Sequence, residues 1–66
     1  MNLTINGDTR ELVAPLTVAE LLVQMALAGK RLAVERNGEI VPKGQHATTE
    51  LADGDRLEIV VAVGGG

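Results

Sequence analysis

The chain has 66 residues, of which 45% are hydrophobic, and its nine acidic and six basic side chains give a formal charge of −3. A chain of this length holds one small domain, and its mild acidity argues against a nucleic acid or an anionic membrane as partner. It has no cysteine and no aromatic residue, which excludes a disulfide framework, a thiolate metal site and a base-stacking surface.

The sequence carries no sign of membrane insertion or export. No apolar run approaches the roughly 18 residues of a membrane span, and no basic segment leads into an apolar one near Met1. We therefore expect a cytoplasmic protein. A domain this small buries only about 60% of its unfolded surface, which leaves little room for a catalytic pocket and favours a module on which other proteins act.

The first part of the chain predicts a β-hairpin. Apolar and polar residues alternate over Met1–Asn6, which is typical of a half-buried strand. Asn6-Gly7-Asp8 supplies the residues that a tight turn prefers. A second strand is predicted over Arg10–Ala14, with Leu12 toward the core, and Pro15 ends it because proline cannot donate to a sheet ladder.

A single helix is predicted next, over Val18–Ala28. Thr17 and Glu20 have the spacing of a capping box, in which each side chain accepts a hydrogen bond from the other residue's amide. Apolar residues then recur at helical spacing on one face. Gly29 is placed to end the helix in the left-handed conformation.

Two more strands and a turn follow the helix. The sequence predicts a third strand over Leu32–Arg36, a turn at Asn37-Gly38 and a short fourth strand over Glu39–Val41, which Pro42 ends. The polar segment Lys43–Leu51 is predicted to be irregular, with Leu51 in the core. One helix covers only one face of a sheet, so we expect two layers with the other sheet face open.

The last strand, Leu57–Val63, is almost continuously apolar and is predicted to lie at the centre of the sheet. If its odd-numbered residues face the helix, then Glu58, Val60 and Ala62 face the open side. We expect Val60 and Ala62, with Glu58, to form a docking surface for partners. Ordinary strand propensity, or burial on both faces, is the alternative interpretation.

Gly64, Gly65 and Gly66 follow this strand, so the chain divides into a domain over residues 1–63 and a glycine tail over 64–66, which we expect to be flexible. One interpretation is a frayed terminus without a function. The other is that the tail is a substrate: the Gly66 carboxylate is a poor electrophile at neutral pH, but joined to AMP as a mixed anhydride its carbonyl could be attacked. Gly65 and Gly64 would give an enzyme access to it.

Several segments together resemble the thiamine-biosynthesis sulfur carriers, which have the ubiquitin-like β-grasp fold. These segments are Thr17–Leu22, Asn37–Lys43, Leu51–Asp55, Leu57–Val60 and the terminal glycines, and the similarity extends over essentially the whole chain. The resemblance implies an α+β fold in ββαββ order, with one helix packed across one face of a mixed sheet and a flexible C-terminal glycine tail. Gly64 departs from the usual glycine pair and is expected to lengthen the arm.

The resemblance further implies that the protein is a co-substrate and not an enzyme. An adenylyltransferase related to ubiquitin-activating enzymes would use ATP to adenylate Gly66. Sulfur from a cysteine desulfurase persulfide would then displace AMP, and the thiocarboxylate would supply sulfur to thiazole synthase. The chain itself would bind no cofactor. A carrier for molybdopterin synthesis or tRNA thiolation, a ubiquitin-like modifier of lysines, and a passive interaction domain are the alternatives.

Two further features are interpreted as structural. His46 is the only histidine and has no second ligand near it in sequence, so a solvated or packing role is predicted and no metal site. Asp53-Gly54-Asp55 lacks the spaced oxygen ligands of a calcium loop and is interpreted as a turn.

Overall fold

A computed structural model describes residues 1–62, which form a five-stranded mixed sheet and one α-helix. In chain order the elements are β1 (Asn2–Ile5), β2 (Asp8–Glu11), α1 (Val18–Gln24), β3 (Leu32–Arg36), β4 (Glu39–Val41), a 3₁₀ helix (Lys43–Gln45) and β5 (Arg56–Val61). The strand order across the sheet is β2-β1-β5-β3-β4. β5 pairs in parallel with β1 and antiparallel with β3, so the predicted central position of the last strand is confirmed.

The core lies between the sheet and α1. Buried side chains alternate along β1 and β5 and recur every three or four residues along α1, as the two periodicities require. The buried apolar residues are Leu3, Ile5, Leu16, Val18, Leu21, Leu22, Val34, Val41, Leu51, Leu57 and Ile59. The helix therefore covers one face of the sheet, as predicted, and Leu51 lies in the core.

The start of α1 has the predicted capping box. The Glu20 amide donates to Thr17 Oγ1 over 3.2 Å, and the Thr17 amide donates to Glu20 Oε1 over 2.9 Å. The Val18 amide donates to the carbonyl of Thr49 over 3.0 Å. Both the helix's own side chains and the later loop thus satisfy amides that a helix start leaves unpaired.

The end of α1 differs from the prediction of a helix over Val18–Ala28, because the helix stops at Gln24. Ala26 takes a left-handed backbone conformation with φ 59°, and the Leu27 amide donates to the Leu22 carbonyl over 2.8 Å. This bond closes the helix with a left-handed residue just beyond its last turn. Alanine, not glycine, therefore occupies the position that ends the helix.

The second strand also lies earlier than predicted, at Asp8–Glu11 and not at Arg10–Ala14. Asn6 (φ 51°) and Gly7 (φ 86°) form a two-residue turn, so pairing with β1 resumes immediately after them. Leu12 follows the strand, half-buried, and packs against the core. All four residues of β2 are exposed, which is why no alternation marks this edge strand in the sequence.

Both Asn-Gly turns hold β5 by asparagine side chains. Asn6 donates from Nδ2 to the Ile59 carbonyl over 3.1 Å and accepts at Oδ1 from the Ile59 amide over 2.7 Å. On the other side of the strand, Asn37 accepts at Oδ1 from the Arg56 amide over 2.9 Å and donates from Nδ2 to Asp55 over 3.0 Å. The position of β5 is therefore fixed by side chains as well as by its two ladders.

Candidate functional site

The carboxyl end of β5 is the part of the structure that leads to the predicted glycine tail. The Ala62 amide donates to the Arg31 carbonyl over 2.9 Å, which fixes the strand's exit beside β3. Gly64, Gly65 and Gly66 lie outside the described residues, so the division into 1–63 and 64–66 stays a prediction. The structure places the last residue that it describes at one end of the central strand.

One face of β5 is open, as its alternation predicts. Leu57 and Ile59 are buried beneath α1, whereas Glu58, Val60 and Ala62 are exposed, with Val60 at 63%. We call Glu58, Val60 and Ala62 the sheet-face patch. Their exposure excludes burial on both faces, while their role in docking stays a prediction.

The residues on β3 and β4 that lie beside the sheet-face patch are also apolar or acidic. Val60 lies opposite Ala33, and Glu58 lies opposite Glu35, in the ladder between β5 and β3. Ile40, which is 62% exposed, lies opposite Glu35 on the next strand. The open face thus combines apolar side chains with carboxylates, which suits a partner that presents apolar and basic groups.

Asp55 anchors the start of β5 and is a buried carboxylate that the sequence does not reveal. Its Oδ2 accepts from Arg36 Nε over 2.7 Å and from the Ala52 amide over 2.8 Å, and its Oδ1 accepts from Asn37 over 3.0 Å. Burial would raise the pKa of Asp55, but the hydrogen bonds from Ala52, Asn37 and Arg36, with the Arg36 charge, together lower that pKa below its ordinary value. Both oxygens of Asp55 are thus occupied by hydrogen bonds within the fold, and we interpret the role of this carboxylate as structural.

His46 makes a packing contact and the Asp53-Gly54-Asp55 segment forms a turn, as predicted. His46 is half-buried, and its Nε2 lies 3.1 Å from the Val41 carbonyl, to which the Nε2–H tautomer donates. Gly54 has φ 87°, which the turn requires, and Asp53 accepts from the Asn2 amide over 2.6 Å.

Neither a metal centre nor a membrane-spanning helix is present in residues 1–62. No three histidine or acidic side chains in that range lie close enough together to hold a metal ion. The helices in the same range are all too short or too polar to cross a bilayer.

Comparison with known proteins gives concordant matches in sequence and structure. A model of the ThiS family matches residues 3–66. The chain is 46% identical to the sulfur carrier protein ThiS of Bacillus subtilis over 50 residues, which are 76% of each chain. It superposes on the crystal structure of the thiamine biosynthesis protein (ThiS) from Geobacter metallireducens with a TM-score of 0.85 and 36% identity, covering 100% of both chains. The fold is therefore the ubiquitin-like β-grasp.

Longer proteins match as well. The chain is 48% identical over its whole length to a thiazole synthase of Paramagnetospirillum magneticum and 33% identical to one of Magnetococcus marinus. It spans 20% of the length of each of these two proteins.

Proposed function

The chain belongs to the ThiS family, and from this membership we propose that it is a sulfur carrier protein of thiamine biosynthesis. The observation that carries the proposal is the family match, which extends from residue 3 through the glycines at 64–66. The matched B. subtilis protein is itself a sulfur carrier. In this role the protein is a co-substrate of other enzymes and catalyses nothing itself.

The proposed chemistry takes place at Gly66. Its carboxylate attacks the α-phosphorus of ATP on an adenylyltransferase, which forms the acyl adenylate and releases pyrophosphate. A persulfide sulfur, drawn from cysteine by a desulfurase, then attacks the carbonyl and expels AMP. A second thiol breaks the resulting S–S bond, is oxidised to a disulfide, and leaves a thiocarboxylate on Gly66. Thiazole synthase is the proposed acceptor of that sulfur.

The three glycines suit this chemistry because they have no side chains. With no Cβ on Gly66, nothing shields its carbonyl from the incoming sulfur. Gly65 and Gly64 carry no side chain that would prevent entry into a narrow channel, and glycine adopts backbone conformations closed to other residues. A partner enzyme would bind the folded domain and so position the tail in its active site.

Intact-mass analysis of the protein purified from cells tests this proposal. The expected result is replacement of one oxygen by sulfur, localised by fragmentation to Gly66. Gly65→Val, which adds a branched side chain, is expected to abolish loading, whereas Gly44→Ala is expected to leave it unchanged, because an added Cβ at Gly44 meets nothing within 4 Å. Loading that survives an uncleavable extension after Gly66 would contradict the proposal.

The sheet-face patch is the proposed docking surface for the adenylyltransferase and the synthase. Val60→Asp places a charge on an exposed side chain, so the fold is expected to survive while the KM for loading rises. Val13→Asp is the matched control, since Val13 is 85% exposed and lies in the loop after β2. Equal loading of the two variants would reject docking through this patch.

Deletion of the gene distinguishes the proposed acceptor from its alternatives. Thiazole auxotrophy supports the role in thiamine biosynthesis. Loss of molybdenum-enzyme activity or of tRNA thiolation would identify a different acceptor for the same chemistry, and isopeptide-linked conjugates would identify a protein modifier.

A further inference from the structure

A cleft opens on the helix side of the molecule, between the end of α1 and the 3₁₀ helix. Two adjoining depressions, of about 140 and 300 Å³, share the lining residues Leu22, Gly29, Lys43 and His46. We call these residues, together with Lys30 and Arg31, the basic cleft. It lies on the side of the sheet that α1 covers, whereas Val60 lies on the open side, and the two surfaces meet where the Ala62 amide donates to the Arg31 carbonyl.

The walls of the basic cleft are fixed by hydrogen bonds. On one wall, the Leu27 amide donates to the Leu22 carbonyl over 2.8 Å, which ends the helix and turns the chain away. On the other wall, His46 is held through Nε2 by the Val41 carbonyl, and its own carbonyl accepts from the Ala19 amide over 2.9 Å. The cleft is therefore preformed, which lowers the ordering cost of binding.

The charged side chains that line the basic cleft are all of one sign. Lys30, Arg31 and Lys43 line it, and they are half of the chain's six basic residues. None of the residues that line either depression within 1–62 is acidic, although the chain as a whole carries −3. A positive site of this kind on an acidic protein attracts and orients a negatively charged partner.

The interior of the basic cleft is apolar. Leu22, Leu27 and Leu32 contribute to its lining, and Val23, which is 64% exposed, lines the second depression. An inorganic anion would leave this apolar surface uncovered. An apolar side chain flanked by carboxylates would cover it and also reach the three cations.

We propose that the basic cleft binds an acidic segment of a partner polypeptide, with an apolar side chain inserted among the leucines and carboxylates facing Lys30, Arg31 and Lys43. Nucleic acid fits poorly, because three cations without an aromatic side chain provide no stacking surface. A second copy that placed its carboxylate-bearing sheet face in the cleft would make a heterologous contact, which leads to rings or open chains of several copies and leaves an unbound surface on every smaller assembly. The cleft lies on the opposite side of the sheet from Glu58 and Val60.

Amide chemical shifts of the labelled protein, titrated with short synthetic peptides, test this proposal. The probe alternates glutamate with leucine, and the matched peptide has lysine in place of glutamate. The glutamate peptide is expected to shift the amides at residues 27–32 and 43–47. The double variant Lys30→Glu, Lys43→Glu is expected to weaken its binding about tenfold or more, through reversal of two rim charges.

The control for charge is the double variant Arg10→Glu, Arg56→Glu, which makes the same change at exposed positions outside the cleft and is expected to bind like the unaltered protein. The proposal is overturned if millimolar glutamate peptide shifts no cleft amide, if the lysine peptide binds equally well, or if the two double variants behave alike. It is also overturned if inorganic phosphate alone reproduces the shifts, or if dilution shows that the cleft is filled by a second copy.

Discussion

Replacing Asp55 by asparagine is expected to destabilise the fold by about 2–3 kcal/mol. The amide of the new side chain has one acceptor oxygen, which can keep the bonds from Arg36 and Ala52, but its NH₂ then faces Asn37 Nδ2, another donor. The side-chain amide of Asn37 cannot rotate by 180° to present its oxygen, because Asn37 Oδ1 would then lose the hydrogen bond of 2.9 Å that it accepts from the Arg56 backbone amide. A buried hydrogen bond to a charged group contributes roughly 1.5–3 kcal/mol, and an unpaired buried donor costs about 1–3 kcal/mol.

A loss of this size is a large part of the protein's total free energy of unfolding. At about 0.05–0.15 kcal/mol per residue, a chain of 66 residues is stable by about 3–10 kcal/mol. Urea unfolding followed by far-ultraviolet circular dichroism measures the change, since the chain has no aromatic side chain to give a fluorescence signal. Asp8→Asn is the control, because Asp8 is exposed on the edge strand β2.

The same pair of proteins gives a pH test. The pKa of Asp55 is lower in the folded protein than the value of about 3.9 in an unfolded chain. The carboxylate's contribution is therefore fully present above the unfolded pKa and is lost as the pH falls through the folded pKa. The stability gap between the unaltered protein and Asp55→Asn should be constant near neutrality and narrow on acidification below about pH 4. A gap under 0.5 kcal/mol, or one independent of pH, would refute the reasoning.

Three further substitutions test the fold, each by urea or thermal unfolding. Ala26→Gly removes the steric strain of an alanine in the left-handed backbone conformation, and we expect it to stabilise the fold by about 0.5–1 kcal/mol, or about 2–8 °C in Tm. An unchanged or lower Tm would contradict a helix end at this residue. Thr17→Ala removes the capping oxygen and is expected to cost about 1 kcal/mol, so a neutral result would count against the capping box. Leu21→Ala opens a cavity at a side chain that is 1% exposed, and we expect it to lower the free energy of unfolding by about 2–5 kcal/mol. Val23→Ala changes a side chain that is 64% exposed and should lower it much less. Similar losses of stability in the two variants would be inconsistent with the burial of Leu21 and the exposure of Val23.

The start of the helix could be predicted and its end could not, for a local reason. Thr17 and Glu20 are three residues apart, so both halves of the capping box can be found in a short stretch of sequence. The end depends on Ala26 adopting φ 59°, and alanine is the residue with the highest helix propensity. Gly29, which the sequence favours as the helix stop, lies instead in the turn that follows, with φ 82°.

The sheet-face patch was predictable because side chains of a strand alternate between faces, so Glu58 and Val60 point away from buried Leu57 and Ile59. Asp55 was missed because Arg36 and Asn37 are 19 and 18 residues away from it and meet it only after β3 pairs with β5. For the same reason no local pattern predicts the basic cleft, whose walls come from the end of the helix and from the segment around residue 43.

The arrangement of β5 has a mechanical consequence. The strand has a parallel neighbour on one side and an antiparallel neighbour on the other, and the side chains of Asn6 and Asn37 are bonded to it as well. Force applied at the strand's carboxyl end acts along its axis, perpendicular to the hydrogen bonds, so these bonds are loaded in shear and break together, not one after another. A pull on the chain at Ala62 would therefore be resisted by all of these bonds at once, and β5 would stay in the sheet.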